Sequence, residues 1–155
     1  MSRIRTCSVC GVPSVYSRGH VWNDNGTIVQ RRNANNRLCL YEAEGLRKLI
    51  ANIEELVGMP VDRIIVEGKR KASLQYLRDA FPDFKLKMAR MLRSRVYGSL
   101  SDMGAVFGFG RYELLDFRRK EHVKVFGRNI YCLPLLCGDL IATFNLVEEK
   151  QAKLD

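Results

Sequence analysis

Glu42-Ala43-Glu44-Gly45-Leu46-Arg47-Lys48-Leu49-Ile50-Ala51-Asn52-Ile53-Glu54-Glu55-Leu56-Val57 decides the reading of the fold. Its apolar positions Leu46, Leu49, Ile50, Ile53, Leu56 and Val57 recur at three and four residues, the spacing that lines one face of an α-helix. Gly58 and Pro60 follow, and together they stop a helix.

On the C-terminal side, Pro60 opens a second helix in which Val61, Ile64, Ile65, Gly68, Ala72 and Tyr76 keep the period. It runs to Ala80 and is closed by Phe81-Pro82, although Arg63 to Glu67 alone also reads as a strand. A third helix is predicted from about Leu86 to Met103. Met88, Met91, Leu92, Val96, Leu100 and Met103 face inward there, and Lys85, Lys87, Arg90, Arg93 and Arg95 face outward. Beyond Gly104 the pattern changes to β. Tyr112 to Phe117 and Val123 to Phe126 flank the charged turn Arg118-Arg119-Lys120-Glu121 and read as a hairpin. Gly104, Gly108 and Gly110 read as bends, with neither the strand nor the Gly-Lys-Ser/Thr of a phosphate loop. Pro134 begins a last helix that holds Leu136, Leu140, Ile141, Phe144 and Val147 on one side and solvates Glu148, Glu149 and Lys150 at its end.

On the N-terminal side, Cys7 to Gly11 forms a tight thiol turn. Val15 to Trp22 and Thr27 to Gln30 flank Asn25-Gly26, whose two residues accept the positive φ of a type I′ hairpin. Arg31 to Asn36 is polar and loop-like, and Leu38 to Tyr41 reads as a short strand. The order is hairpin, helices, hairpin, helix, an α/β (α+β) fold of antiparallel hairpins packed on a layer of three to four helices. A length of 155 residues fits one domain, with residues 1–32 as thiol turn plus hairpin and 40–148 as a ligand-binding-like core.

Apolar residues at 46% and charged residues at 28% describe a globular chain rather than a disordered one. No apolar run approaches the ~20 residues that span a bilayer. Charge leads straight into cysteines at the first residues, without the apolar segment of a secretory signal, so a cytoplasmic location is predicted. Five cysteines, an odd number, fit a disulfide framework poorly, and Cys39, Cys132 and Cys137 read as small buried hydrophobes. The formal charge of +9 attracts nucleic acid, acidic lipid headgroups or a phosphorylated or carboxylated ligand without choosing among them.

Cys7-Ser8-Val9-Cys10-Gly11 is the sharpest motif. Two thiolates two residues apart, with a glycine that lets backbone N–H groups turn toward sulfur, make half of a tetrahedral structural zinc site. His20 and Cys39 can complete the shell, or the same pair of a second copy can do so across a homodimer. A metal-free pair stands beside both readings. Lys69-Arg70-Lys71 and the basic residues from Lys85 to Arg95 suit phosphates, yet a solvated helix face explains them more simply, and no aromatics interleave them. Glu67 and Arg70 are spaced to meet as a surface ion pair or to point together into a pocket, and Gly68 beside them permits close approach. Neither His20 nor His122 has a nucleophile partner in a triad motif, and no catalytic constellation stands out.

Ile64-Ile65-Val66-Glu67-Gly68-Lys69-Arg70-Lys71-Ala72 and the run from Val125 to Leu140 resemble the 4-vinyl reductase domain family, which shares its fold with Bet3-like trafficking subunits and NO-sensing haem domains. With the helix from Glu42 to Val57, the similarity covers most of residues 40–148. The resemblance implies a sandwich enclosing a small apolar ligand between helices and an antiparallel sheet, often as a sensor and sometimes as a dimer. It extends to tetrapyrrole or haem ligands, and it includes members with structural zinc. Trp22, Glu67, Arg70 and Tyr76 are the expected ligand contacts, with Glu67 orienting. A sensory or carrier domain for a small, largely apolar, anionic molecule is thus expected. A zinc-containing nucleic-acid binder and a reductase accessory protein of tetrapyrrole metabolism are the alternatives.

Overall fold

Pro13 starts the first helix, α1 (Ser14–Gly19), because its missing N–H falls where a helix has no use for one, and its carbonyl accepts from Tyr16 N–H at 2.9 Å. This corrects the predicted strand from Val15 onward. Only three residues, β1 (His20–Trp22), pair with β2 (Ile28–Gln30), so the residues before His20 have no strand opposite and coil into a turn of helix. The hairpin does turn at Asn25-Gly26, but only Gly26 takes positive φ (+78°), and its N–H bonds Asn23 O at 3.0 Å. That is a type I turn closed by a left-handed glycine rather than the predicted type I′.

The second correction concerns β3 (Asn33–Leu38), which occupies most of the stretch read as a polar loop. It pairs antiparallel with β2 through Ile28↔Leu38 and Val29↔Arg37, with a bulge before Gln30↔Asn33. Backbone pairing outweighs composition on a sheet with a solvated face. Cys39 follows β3 and is exposed, not buried, whereas Cys132 is buried as expected.

The computed structural model describes residues 5–80, 88 and 90–154, apart from the side chains of residues 15, 79, 80, 94, 99 and 100. The chain forms two compact units, Met1–Glu42 and Ala43–Asp155. The first holds α1 and the three-stranded meander β1-β2-β3.

In the second unit, α2 (Ala43–Val57) ends where Gly58 adopts φ +69°. It is followed by α3 (Asp62–Ala80), with Val61 buried between them and its N–H bonded to Glu54 Oε1 at 3.0 Å. Then come α4 (Arg93–Val106), the antiparallel hairpin of β4 (Arg111–Arg118) and β5 (His122–Arg128), and α5 (Leu133–Glu148) with its proline in the first turn. The observed fold is α+β, with helices packed on antiparallel strands.

The core gathers Tyr97 of α4 with Phe144 and Val147 of α5, flanked by Val96, Phe117 and Val123. Each fully buried side chain of this kind contributes roughly 1.5–3 kcal/mol. Tyr97 thus takes the inward place assigned to methionines. Met88, Met91, Leu92 and Met103 are exposed instead, while Arg90 and Arg93 are half-buried in ion pairs with Glu149 (2.9 Å) and Glu148 (3.1 Å). The carboxylates at the end of α5 draw the arginines in and rotate the predicted face. Lys85, Lys87 and the side chain of Leu100 lie outside the described residues, as does the predicted start at Leu86.

Glu148 is a further correction: it is fully buried, not solvated. Its Oε2 accepts the N–H of Lys120 at 3.1 Å, and Arg93 supplies the opposing charge. Among the described residues, no helix is long and apolar enough to cross a membrane.

Candidate functional site

The helix pair α3 and α5 builds the site. Gly138 permits the crossing: a Cβ there would stand 2.6 Å from Lys69 Cβ and 2.8 Å from the Val66 carbonyl oxygen. The predicted close-approach glycine, Gly68, faces open space instead. Ser73 Oγ donates to Asp139 Oδ1 at 2.5 Å, and Lys69 Nζ lies 3.3 Å from the same oxygen, so two polar ties reinforce the crossing.

Past these ties a cleft of about 620 Å³ opens. Arg70, Leu74 and Arg78 reach it from α3 at four-residue spacing, which keeps them on one face. Asn145, Leu146, Glu149 and Lys150 close it from the end of α5, and Arg90 joins from before α4. Among the described residues, four cations stand there against one carboxylate, with Leu74 and Leu146 as apolar lining.

Two arginines of the cleft differ in how they are held. Arg70 donates Nε to Glu67 Oε2 at 2.7 Å and Nη2 to Glu67 Oε1 at 2.6 Å, a two-pronged clamp that fixes the guanidinium plane. Those hydrogen bonds hold the Glu67 carboxyl below its ordinary range. Arg90 has its Nη1 2.9 Å from Glu149, while its Nε–H is buried without a hydrogen-bond partner. A buried donor left open is costly unless an acceptor arrives. In the core, burial pushes the Tyr97 phenol up, reinforced by the negative charge of Glu148.

The predicted ligand residues separate. Glu67 and Arg70 come together, with Arg70 on the cleft. Tyr76 is on the same helix but about 240° around from Arg70 and does not line the cleft. Trp22 belongs to the first unit, half exposed at the end of β1, its ring 6.5 Å from that of His20. Arg78, which the sequence reading missed, repeats Arg70 at about two helical turns, and that spacing is the signal that could have found it. Arg90 belongs to the basic set read as suiting phosphates or as a solvated face, and Lys150 was read as solvated; tertiary packing brings both to the cleft.

The thiol turn takes the shape that its motif requires. Gly11 at φ +70° donates its N–H to Cys7 O at 3.0 Å, Cys7 N–H bonds Val12 O at 2.7 Å, and Thr6 bridges Pro13 across the turn. The N–H groups of Cys10 and then Val9 point at the Cys7 sulfur and hold its pKa below the ordinary thiol range, helped by the charge of Arg18. The other two predicted ligands stand apart in character: His20 is buried with Nδ1 3.4 Å from Tyr16 O, and Cys39 is exposed. Among the described residues, no three His, Cys, Asp or Glu side chains gather as a metal site would need.

No protein-family model matches the chain, and no curated protein or solved structure matches it either.

Proposed function

We propose that this chain is a small-molecule-binding domain, sensory or carrier in role, whose α3/α5 cleft takes an anion with a short apolar body. The observation that carries the reading is the convergence of Arg70, Arg78, Arg90 and Lys150 on one cleft with leucine lining. A carboxylate or phosphate entering there meets a pre-oriented guanidinium at Arg70 and the positive charge of Arg78, Arg90 and Lys150. The resemblance to the 4-vinyl reductase domain family points to the same role. Nucleic acid is the weaker reading, because Lys69 and Lys71 of the basic run already stand beside carboxylates, Asp139 at 3.3 Å and Glu67 at 3.7 Å, and no aromatics interleave the run as a stacking platform needs.

Benzoate, octanoate and inorganic phosphate, titrated separately against the full chain, test this by thermal unfolding. At one hundred times its Kd, a ligand of the folded state stabilises it by about 2.7 kcal/mol. Saturable stabilisation by one of the three, abolished in Arg78→Ala/Arg90→Ala, is the expected result. No response to any of them, or one that the double variant keeps, overturns the proposal.

A second assignment rests on the hydrogen-bonded Cys7 sulfur: Cys7 and Cys10 hold structural zinc, the metal stabilising the thiol turn. Zinc at one per chain or one per two chains, lost in Cys7→Ser/Cys10→Ser, is expected from elemental analysis. Zinc-free protein after refolding with added metal sinks it.

A further inference from the structure

Two carboxylates follow one another at the end of α5, and each meets an arginine, yet their surroundings are opposite. Glu148 is fully buried, with Arg93 Nε 3.1 Å from its Oε1 and the Lys120 N–H 3.1 Å from its Oε2. Removing one partner from such a pair is strongly destabilising, because an uncompensated charge stays behind in the interior. Glu149 keeps 59% of its side chain exposed, and its carboxylate pairs with Arg90 Nη1 at 2.9 Å. An ion pair this open to water contributes little, so the Glu149 carboxylate can leave for solvent at small cost.

The backbone around Glu149 does not have to follow. Glu149 ends α5 in the left-handed conformation, φ +54° and ψ +35°, which turns the chain out of the helix. Glu148 pins the residue before it. Beyond it, Lys150 Nζ donates to the Lys120 carbonyl at 2.8 Å, and the Ala152 N–H donates to Asn145 Oδ1 at 2.7 Å. Side-chain torsions alone therefore separate the paired Arg90 from a released one.

Arg90 and Glu149 both line the cleft, where among the described residues Glu149 brings the one carboxylate. It sits on a guanidinium as an incoming carboxylate would. The other paired arginine differs: Glu67 does not line the cleft, and it grips Arg70 through two nitrogens, which orients that guanidinium rather than occupying it.

We infer that Glu149 is the cleft's own competitor, an inference that rests on the anion-binding reading of the cleft: its carboxylate holds Arg90 until an anion takes its place, then swings into water. While Arg90 is held, the full set of cations is not on offer. Apparent affinity falls by the fraction of molecules in which Arg90 is free.

Calorimetric titration of the full chain with benzoate, octanoate and inorganic phosphate tests this in the wild type, Glu149→Gln and Glu44→Gln. Glu44 is the control, because it gives up the same charge from an exposed pair with Arg47 at 2.9 Å, away from the cleft lining. The anion that binds the wild type is expected to bind Glu149→Gln about threefold to tenfold more tightly, and Glu44→Gln within about twofold of the wild type. Unchanged or weaker binding by Glu149→Gln, equal tightening by Glu44→Gln, or a gain that persists in full when Arg90 is also replaced by alanine overturns the inference and leaves the cleft reading standing. No binding of any of the three anions to any of these proteins overturns the cleft reading and the inference with it.

Discussion

Helices α2 and α5 belong to the same unit and are nearly equal in length, yet one buries no residue and the other buries half of its own. Their sequences announce the difference in an unexpected way. The stripe of α2 is cleanly segregated, while α5 is apolar on nearly every side, from Leu136 and Ile141 to Ala142, Thr143 and Phe144. A segregated stripe shows that a helix has one face to cover, and says nothing about whether its own chain covers it. An apolar helix with little segregation must be surrounded. The contrast teaches that pattern strength and structural centrality are separate quantities.

The largest test of that contrast is Phe144→Ala at the centre of α5. It is expected to cost about 3–5 kcal/mol in urea unfolding, and a loss below 1 kcal/mol would mean that the core lies elsewhere. Next comes a paired glycine experiment. Gly138→Ala forces a methyl against Lys69 and the Val66 carbonyl and should destabilise by about 1–3 kcal/mol. Gly68→Ala meets open space on α3 and should stabilise by up to about 1 kcal/mol through helix propensity. Equal effects would remove the close crossing from the account.

Alkaline titration sharpens the burial of the aromatic groups. Burial pushes the Tyr112 phenol up to about 12 and raises Tyr97 and Tyr131 as well. A raised phenol means that the fold favours the neutral form. The Tyr112 contribution is therefore complete below about pH 10 and lost between about 10 and 12, as the unfolded chain ionises first. Denaturant midpoints across that window should fall by the equivalent of about 1–2 kcal/mol, together with delayed tyrosinate absorbance. The smallest effect belongs to α2: Ile53→Ala should shift stability by no more than about 0.5 kcal/mol.

The positions of α2, α3, the β4/β5 hairpin and α5 were legible because periodicity and the glycine and proline stops are local signals. The inward face of α4 was not. Its sequence offers methionines and arginines on alternate sides, and the choice was made by Glu148 and Glu149, more than fifty residues away. The polar strand β3 was missed for a related reason, since Asn33 to Leu38 becomes a strand only because β2 offers it a ladder. At the candidate site, Arg70 and its partner Glu67 could be read from their spacing on one helix. Arg90 and Lys150 could not, and Trp22 and Tyr76 were selected as attractive residue types without any geometric warrant.

One contact at the end of α5 bears on how the molecule opens. Lys120 sits at the tip of the β4/β5 turn with φ +57°, a conformation that usually falls to glycine. Its N–H is taken by Glu148 and its carbonyl by Lys150 Nζ at 2.8 Å. Hairpin tips ordinarily fray first and exchange their amide protons within the lifetime of the native state. Here the tip is gripped from outside on both of its peptide groups, so its amide exchanges only when the last helix lets go. The turn is thereby tied to the end of α5, and its amide reports on that end of the helix.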